Sequence, residues 1–87
     1  MRHFFASMNF IEIEFKIFEN RTYMKFNNAM IEASYLGMMK EQGKSIEKQG
    51  EWAIMEVIDE KIGKEENKLY EYLADQLKKG GFTLKDA

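Results

Sequence analysis

The sequence predicts an α+β domain in which an N-terminal antiparallel β-hairpin is followed by three α-helices, in the order ββααα. Along residues 8–26, apolar and polar residues alternate in two runs, and this period is typical of half-buried strands. Along residues 28–79, apolar residues recur three and four positions apart, and glycines divide the region into three helical segments. We therefore expect a hairpin that packs against a small layer of helices.

The chain is expected to form one domain over residues 1–87, because a sequence of this length builds a single core. Residues 1–7 precede the first clear strand pattern, so we expect them to be disordered, and Met8 is an alternative start of the protein. Residues 80–87 follow a Gly-Gly-Phe helix stop and form either a tail or a short C-terminal edge strand.

The hairpin has one apolar face and one mixed face. Folding the chain about Asn20 and Arg21 pairs Ile17 with Met24. The expected inner face, buried against the helices, consists of Ile11, Ile13, Phe15, Ile17, Met24 and Phe26. The expected outer face consists of Glu12, Glu14, Lys16, Phe18, Tyr23 and Lys25.

Capping residues mark the ends of the predicted helices. The first helix follows an N-cap at Asn27 or Asn28 and ends at Gly43. The second helix runs from a cap at Ser45 to Gly63, and the third ends at the Gly-Gly-Phe stop.

Trp52, the only tryptophan, lies on the predicted second helix, opposite the main apolar stripe of that helix. Either a second surface of the same chain or a binding partner must cover it. Trp52 also begins a second seam, spaced at three and four residues, of the kind that meets another helix. The candidate partner-binding residues are Trp52, Met55, Asp59, Ile62, Phe18 and Tyr23.

The predicted first helix is apolar on most sides, so most of its surface should be buried. A chain of 87 residues offers little to cover it, which favours a homodimer as the way to extend a small core. Small residues four positions apart would let a second helix approach closely. The candidate dimer contacts are Ala29, Met30, Ala33, Leu36 and Gly37.

The composition offers little for catalysis, for metals or for cofactors. The chain has no cysteine, its one histidine is His3 in the expected mobile terminus, and its glycines form no phosphate-binding loop. Glu12 and Glu14 share a strand face, as the paired carboxylates of a small enzyme or a cation site would, but a solvated face explains them better. We therefore expect no enzyme, no cofactor and no metal.

Charge and hydropathy argue against two further classes, nucleic-acid-binding proteins and membrane proteins. With 13 basic and 15 acidic side chains, the formal net charge is −2, which disfavours a nucleic-acid partner. An alternative is that Phe10, Phe18 and Tyr23, interleaved with Lys16 and Lys25, stack on single-stranded nucleic acid. No apolar run is long enough to span a membrane, so we expect a cytoplasmic protein without membrane contact.

In size, composition and element order, the chain looks loosely like small phage accessory proteins, which include tail-assembly chaperones and inhibitors of host defence. We expect a small non-enzymatic protein-binding module that acts by surface occlusion or assembly. The resemblance implies a phage or mobile-element source and inhibition of a host protein or defence system. A phage assembly chaperone and a nucleic-acid-binding regulator are the alternatives.

Overall fold

The computed structural model describes residues 1–56 and 65–87, and this part of the chain forms an antiparallel sheet with two helices on one face. The strands are β1 (Arg2–Met8), β2 (Ile11–Phe18), β3 (Arg21–Phe26), β4 (Ile46–Gln49), β5 (Trp52–Glu56) and β6 (Thr83–Asp86). The helices are α1 (Ala29–Glu41) and α2 (Glu66–Lys79). The six strands lie in the order β4-β5-β3-β2-β1-β6, and every neighbouring pair is antiparallel. The predicted ββααα order is therefore wrong.

The main error concerns the predicted second helix, whose residues 46–56 instead form the hairpin β4–β5. Gln49 pairs with Trp52, which leaves a two-residue turn that begins at Gly50 with φ of +59°. A two-residue hairpin turn with glycine in its first position is a favoured connection between antiparallel strands. The spacing of apolar residues in this segment fits a helix and a strand alike, and the strand is favoured by the turn together with the pairing of β5 with β3. The remainder of the predicted helix, residues 57–62, lies outside the described residues.

The first seven residues, expected to be disordered, contain most of β1. Phe4 and Ala6 are fully buried, while His3 and Phe5, which alternate with them, point to the opposite face of the sheet. β1 pairs with β2 on one side and with β6 on the other, so the predicted C-terminal edge strand does form. A chain that started at Met8 would lack this strand and its two buried side chains.

The hairpin of β2 and β3 has the predicted faces but a different register. Phe18 pairs with Arg21 across a turn of Glu19 and Asn20, both of which have positive φ. The pairing therefore differs by two residues from the predicted one, and a shift of two residues keeps each side chain on its face. One consequence is that Lys25 lies opposite an acidic residue, Glu14, whereas the predicted register pairs it with Lys16.

The core lies between the sheet and the helices, as predicted for the inner face of the hairpin. Ile13, Phe15, Ile17 and Met24 are fully buried, and Ile11 and Phe26 are half-buried against them. α2, which corresponds to the predicted third helix, adds Leu69, Leu73, Ala74 and Leu77. The Phe4 ring stacks on Phe15 at 4.9 Å between centroids, and Tyr70 of α2 meets the Phe4 ring edge-on.

Helix α1 matches the predicted first helix, with Asn28 as N-cap: its side chain accepts hydrogen bonds from the backbone of Met30 and Ile31. The homodimer prediction, in contrast, loses its basis. It assumed that most of the surface of α1 must be buried, but no residue of α1 is buried, and a single chain already reduces the exposure of its core residues to between 0% and 6%. Of the candidate dimer contacts, Leu36 is half-buried in the chain's own core, while Ala29, Met30, Ala33 and Gly37 are exposed.

Among the described residues, neither helix has the length and apolar character needed to cross a bilayer.

Candidate functional site

The side of the sheet that faces away from both helices is called the open face here. Side chains alternate between the two faces of each strand, so every second residue of the buried strands points outward. The open face carries His3, Phe5, Glu12, Glu14, Lys16, Phe18, Arg21, Tyr23, Lys25, Glu47, Trp52, Ile54, Glu56 and Lys85. It combines aromatic side chains near its middle with charges of both signs.

Three predicted partner-binding residues meet on this face. Trp52, Tyr23 and Phe18 line one cavity of about 230 Å³, together with Lys16 and Met1. We call this group of five residues the aromatic patch. Trp52 and Tyr23 are half-buried, and 45% of Phe18 is exposed. They come from three adjacent strands, β5, β3 and β2, which only the pairing of β5 with β3 brings side by side.

Two lysines hold their ammonium groups over the Trp52 ring. The Nζ atom of Lys16 lies 4.5 Å from the ring centroid, and that of Lys25 lies 5.2 Å from it. A cation over the face of an indole contributes about 0.5–1 kcal/mol at a surface site. The indole therefore has two positive charges close to it at the surface of the sheet.

Beside the aromatic patch, Glu14 joins His3 and Lys25 into a polar cluster. Glu14 Oε2 lies 2.6 Å from His3 Nε2, and its other oxygen lies 3.3 Å from Lys25 Nζ. Partial burial by itself raises the pKa of the Glu14 carboxyl, but the hydrogen bonds from His3 and Lys25 and their positive charges outweigh it, so the net pKa is lowered. Glu14 therefore stays ionised and fixes the position of Lys25.

A polar cleft of about 450 Å³ continues from this cluster towards the start of α1. The open face contributes four residues to its lining: Phe5, Glu12, Glu14 and Lys25. Other parts of the chain contribute Asn27, Asn28, Ala29, Glu32, Lys48, Gly50 and Glu51. Asn27 closes one wall, because its amide donates to the carbonyl of Phe10 and accepts from the N–H of Glu12. Lys48 forms an ion pair with Glu32 across the cleft.

The other predicted site residues do not join the aromatic patch. Met55 is 2% exposed and faces the core. A helix would have placed Trp52 and Met55, three positions apart, on the same side, but a strand turns them to opposite faces of the sheet. Asp59 and Ile62 lie outside the described residues. The predicted seam through Trp52 and Met55 is therefore absent in the part of the chain that the structure describes.

Two residues of the site were missed in the sequence because they belong to β1. His3 contacts Glu14, and Phe5 lies 5.4 Å from the His3 ring and lines the polar cleft. Both had been assigned to a mobile terminus. A signal was present: Phe4 and Ala6 alternate with His3 and Phe5, as the inner and outer residues of a strand do.

The two carboxylates that β2 places on the open face differ in their surroundings. Glu14 is occupied by His3 and Lys25, while Glu12 projects into the cleft as an exposed side chain. Residues 1–56 and 65–87 contain no group of three or more histidine or carboxylate side chains that could hold a metal ion.

No family model, no curated protein and no solved structure matches this chain. The resemblance to phage accessory proteins was one of size, composition and element order, and the six-stranded sheet overturns the predicted ββααα order. Neither a viral source nor the role of an inhibitor retains any support, and both predictions are withdrawn.

Proposed function

We propose that this protein is a small binding module that holds a protein partner on the open face of its sheet. The observation that supports the proposal is the aromatic patch, in which Trp52, Tyr23 and Phe18 surround one cavity. Tryptophan and tyrosine are enriched among the few residues that supply most of the binding energy at protein interfaces. A side chain of the partner would enter this cavity and stack on Trp52.

The charges of the open face favour a protein partner. Its basic residues are Lys16, Arg21, Lys25 and Lys85, and its acidic residues are Glu12, Glu14, Glu47 and Glu56. Apolar side chains inside a rim of mixed charge are the usual anatomy of a protein–protein contact. A surface that binds a nucleic-acid backbone would carry a clear excess of positive charge.

A capture experiment with matched variants tests the proposal. Wild-type protein, Trp52→Ala and Met30→Ala are immobilised and exposed to a lysate of the source organism. Met30 is the control because it is 81% exposed but lies on α1, away from the open face. A partner retained by wild type and by Met30→Ala should be lost with Trp52→Ala.

The purified partner then gives a quantitative test. Trp52→Ala should weaken binding by about 2 kcal/mol, which is roughly a thirtyfold increase in Kd. Circular dichroism confirms that the variant is folded. Equal affinity of wild type and Trp52→Ala for every captured protein would contradict the proposal.

Single-stranded nucleic acid is a second candidate partner, and one structural observation favours it. A lone hairpin would be too narrow for several bases, but three adjacent strands carry Phe18, Tyr23 and Trp52, with Lys16 and Lys25 between them. Rings and lysines on a sheet are the elements that stack on bases and contact phosphates. Titration with a short oligonucleotide at low and high salt tests this function. If the oligonucleotide binds, it should quench the fluorescence of Trp52, and this quenching should weaken steeply as the salt concentration rises.

We further propose that binding takes place in the cytoplasm, since a sequence without cysteine suits a reducing compartment.

A further inference from the structure

On the opposite side of the sheet, the two helices lie apart and leave a cavity of about 220 Å³ between them. Helix α1 lines it with Tyr35, Met38 and Met39, and helix α2 lines it with Tyr72, Leu73, Gln76 and Leu77. Met55 of β5 and Phe82 also contact it, together with Gln42 and Lys44, which follow α1. We call this space the interhelical cavity.

The lining of the interhelical cavity is mainly apolar and adaptable. Three of its side chains, Met38, Met39 and Met55, are methionines, which adjust their shape to what they contact. Two tyrosines add hydroxyl groups: burial raises the pKa of Tyr35, and the neighbouring Tyr72 raises it further. Tyr35 therefore keeps its proton at neutral pH and can donate a hydrogen bond.

Lys44 is the one charged side chain among the described residues that line the cavity. The end of α1 holds its backbone in place: Gly43 has φ of +82°, Gly43 N–H donates to the Lys40 carbonyl, and Lys44 N–H donates to the Met39 carbonyl. Lys44 is half-buried, and its ammonium group makes no ion pair with any described residue. An apolar cavity lined by one cation that forms no ion pair with any described residue is complementary to an anion with an apolar body.

We propose that the interhelical cavity binds a small carboxylate with an unbranched apolar tail of about eight carbon atoms, with the carboxylate on Lys44. The volume fits this size, since an apolar cavity of about 150 Å³ holds benzene and the interhelical cavity is larger. The tail lies among the methionines and leucines, where its burial supplies most of the affinity. This site is independent of the open face and of the partner proposed for it.

Calorimetric titration of the full chain with sodium octanoate at pH 7 tests the proposal. Octanoate should bind saturably with one site per chain, while octylamine, which has the same tail and the opposite charge, should bind at least about tenfold more weakly. 1-Octanol, which has the tail without a charge, should fall between them. Absence of saturable octanoate binding at millimolar concentration, or equal binding of octanoate and octylamine, would overturn the proposal.

Two variants locate the site. Lys44→Gln should weaken octanoate binding about threefold to tenfold and leave 1-octanol binding unchanged. Lys40→Gln is the matched control, because it removes a positive charge from the same end of α1 without lining the cavity, and it should bind octanoate like wild type. Equal effects of the two lysine variants would overturn the assignment.

Met39→Trp should abolish binding by filling the cavity, with circular dichroism as the check of folding. If this variant does not fold, the comparison of Lys44→Gln with Lys40→Gln still decides the outcome.

Discussion

The ammonium nitrogen of Lys16 lies 4.5 Å from the centre of the Trp52 ring, although a whole strand, β3, separates the strands that carry them. Lys25, on that intervening strand, brings a second ammonium to within 5.2 Å of the same ring. The only tryptophan of the chain therefore reports directly on the open face and on the positive charge around it.

This positive environment should make Trp52 fluorescence unusually sensitive to anions. We expect iodide to quench wild-type protein more strongly than the double variant Lys16→Gln, Lys25→Gln, because two ammonium groups concentrate anions beside the indole. The neutral quencher acrylamide should affect both proteins alike. The iodide difference should shrink in concentrated salt, where charges are screened. Iodide quenching that is identical in the two proteins would show that the lysines do not cover Trp52.

The polar cluster predicts a pH dependence of stability through Glu14. Its pKa is lower in the folded protein than the ordinary value of 4.5, so the ion pairs stabilise the fold above about pH 4.5. This stabilisation is lost as the pH falls through the lowered pKa. Glu14→Gln should therefore reduce the free energy of unfolding by about 1 kcal/mol at pH 7 and by much less at pH 3.

Urea denaturation at both pH values measures this effect. Glu12→Gln is the control, since Glu12 lies on the same strand face and forms no ion pair with any described residue. We expect Glu12→Gln to follow wild type at each pH. A Glu14→Gln deficit that persists unchanged at pH 3 would refute the role of the carboxylate.

Two glycines give a matched test of the β4–β5 turn. Gly50 has φ of +59°, so Gly50→Ala should destabilise the protein by about 1 kcal/mol even though nothing lies within 4 Å of the new methyl group. Gly37 lies in α1, also with nothing within 4 Å, and Gly37→Ala should stabilise by about 0.5–1 kcal/mol. Thermal denaturation compares the two. If residues 46–56 formed a helix, both substitutions would stabilise.

The N-terminal strand provides a test at the other end of the sheet. Phe4 is fully buried, stacks on Phe15 and contacts Tyr70, so Phe4→Ala should cost about 3–5 kcal/mol. Phe10, which is 97% exposed, is the control, and Phe10→Ala should change stability by less than about 0.5 kcal/mol. Deletion of residues 1–7 should leave the chain largely unfolded. A cooperative transition near that of wild type in the shortened chain would show that β1 is dispensable.

Local patterns in the sequence were sufficient for about half of the architecture. Alternation identified β2 and β3 and assigned their faces, so Phe18 and Tyr23 were placed correctly on the outer side. Helix α1 was identified by a cap at Asn27 or Asn28, of which the structure uses Asn28, and by its stop at Gly43. Helix α2 was identified by its apolar face and the glycines after it. These features depend on residues within a few positions of one another.

Tertiary pairing decided the rest, including the candidate site. Residues 46–56 have a spacing that either a helix or a strand could satisfy, and β3 selects the strand because it offers an unpaired edge to β5. β1 is similarly selected by β2, which buries Phe4 and Ala6. The sequence by itself singled out Trp52 as a residue outside the core pattern, and that feature persists. Its neighbours Lys16 and Lys25 come from strands distant in sequence, and only the hydrogen-bonded order of the sheet could bring them to the indole.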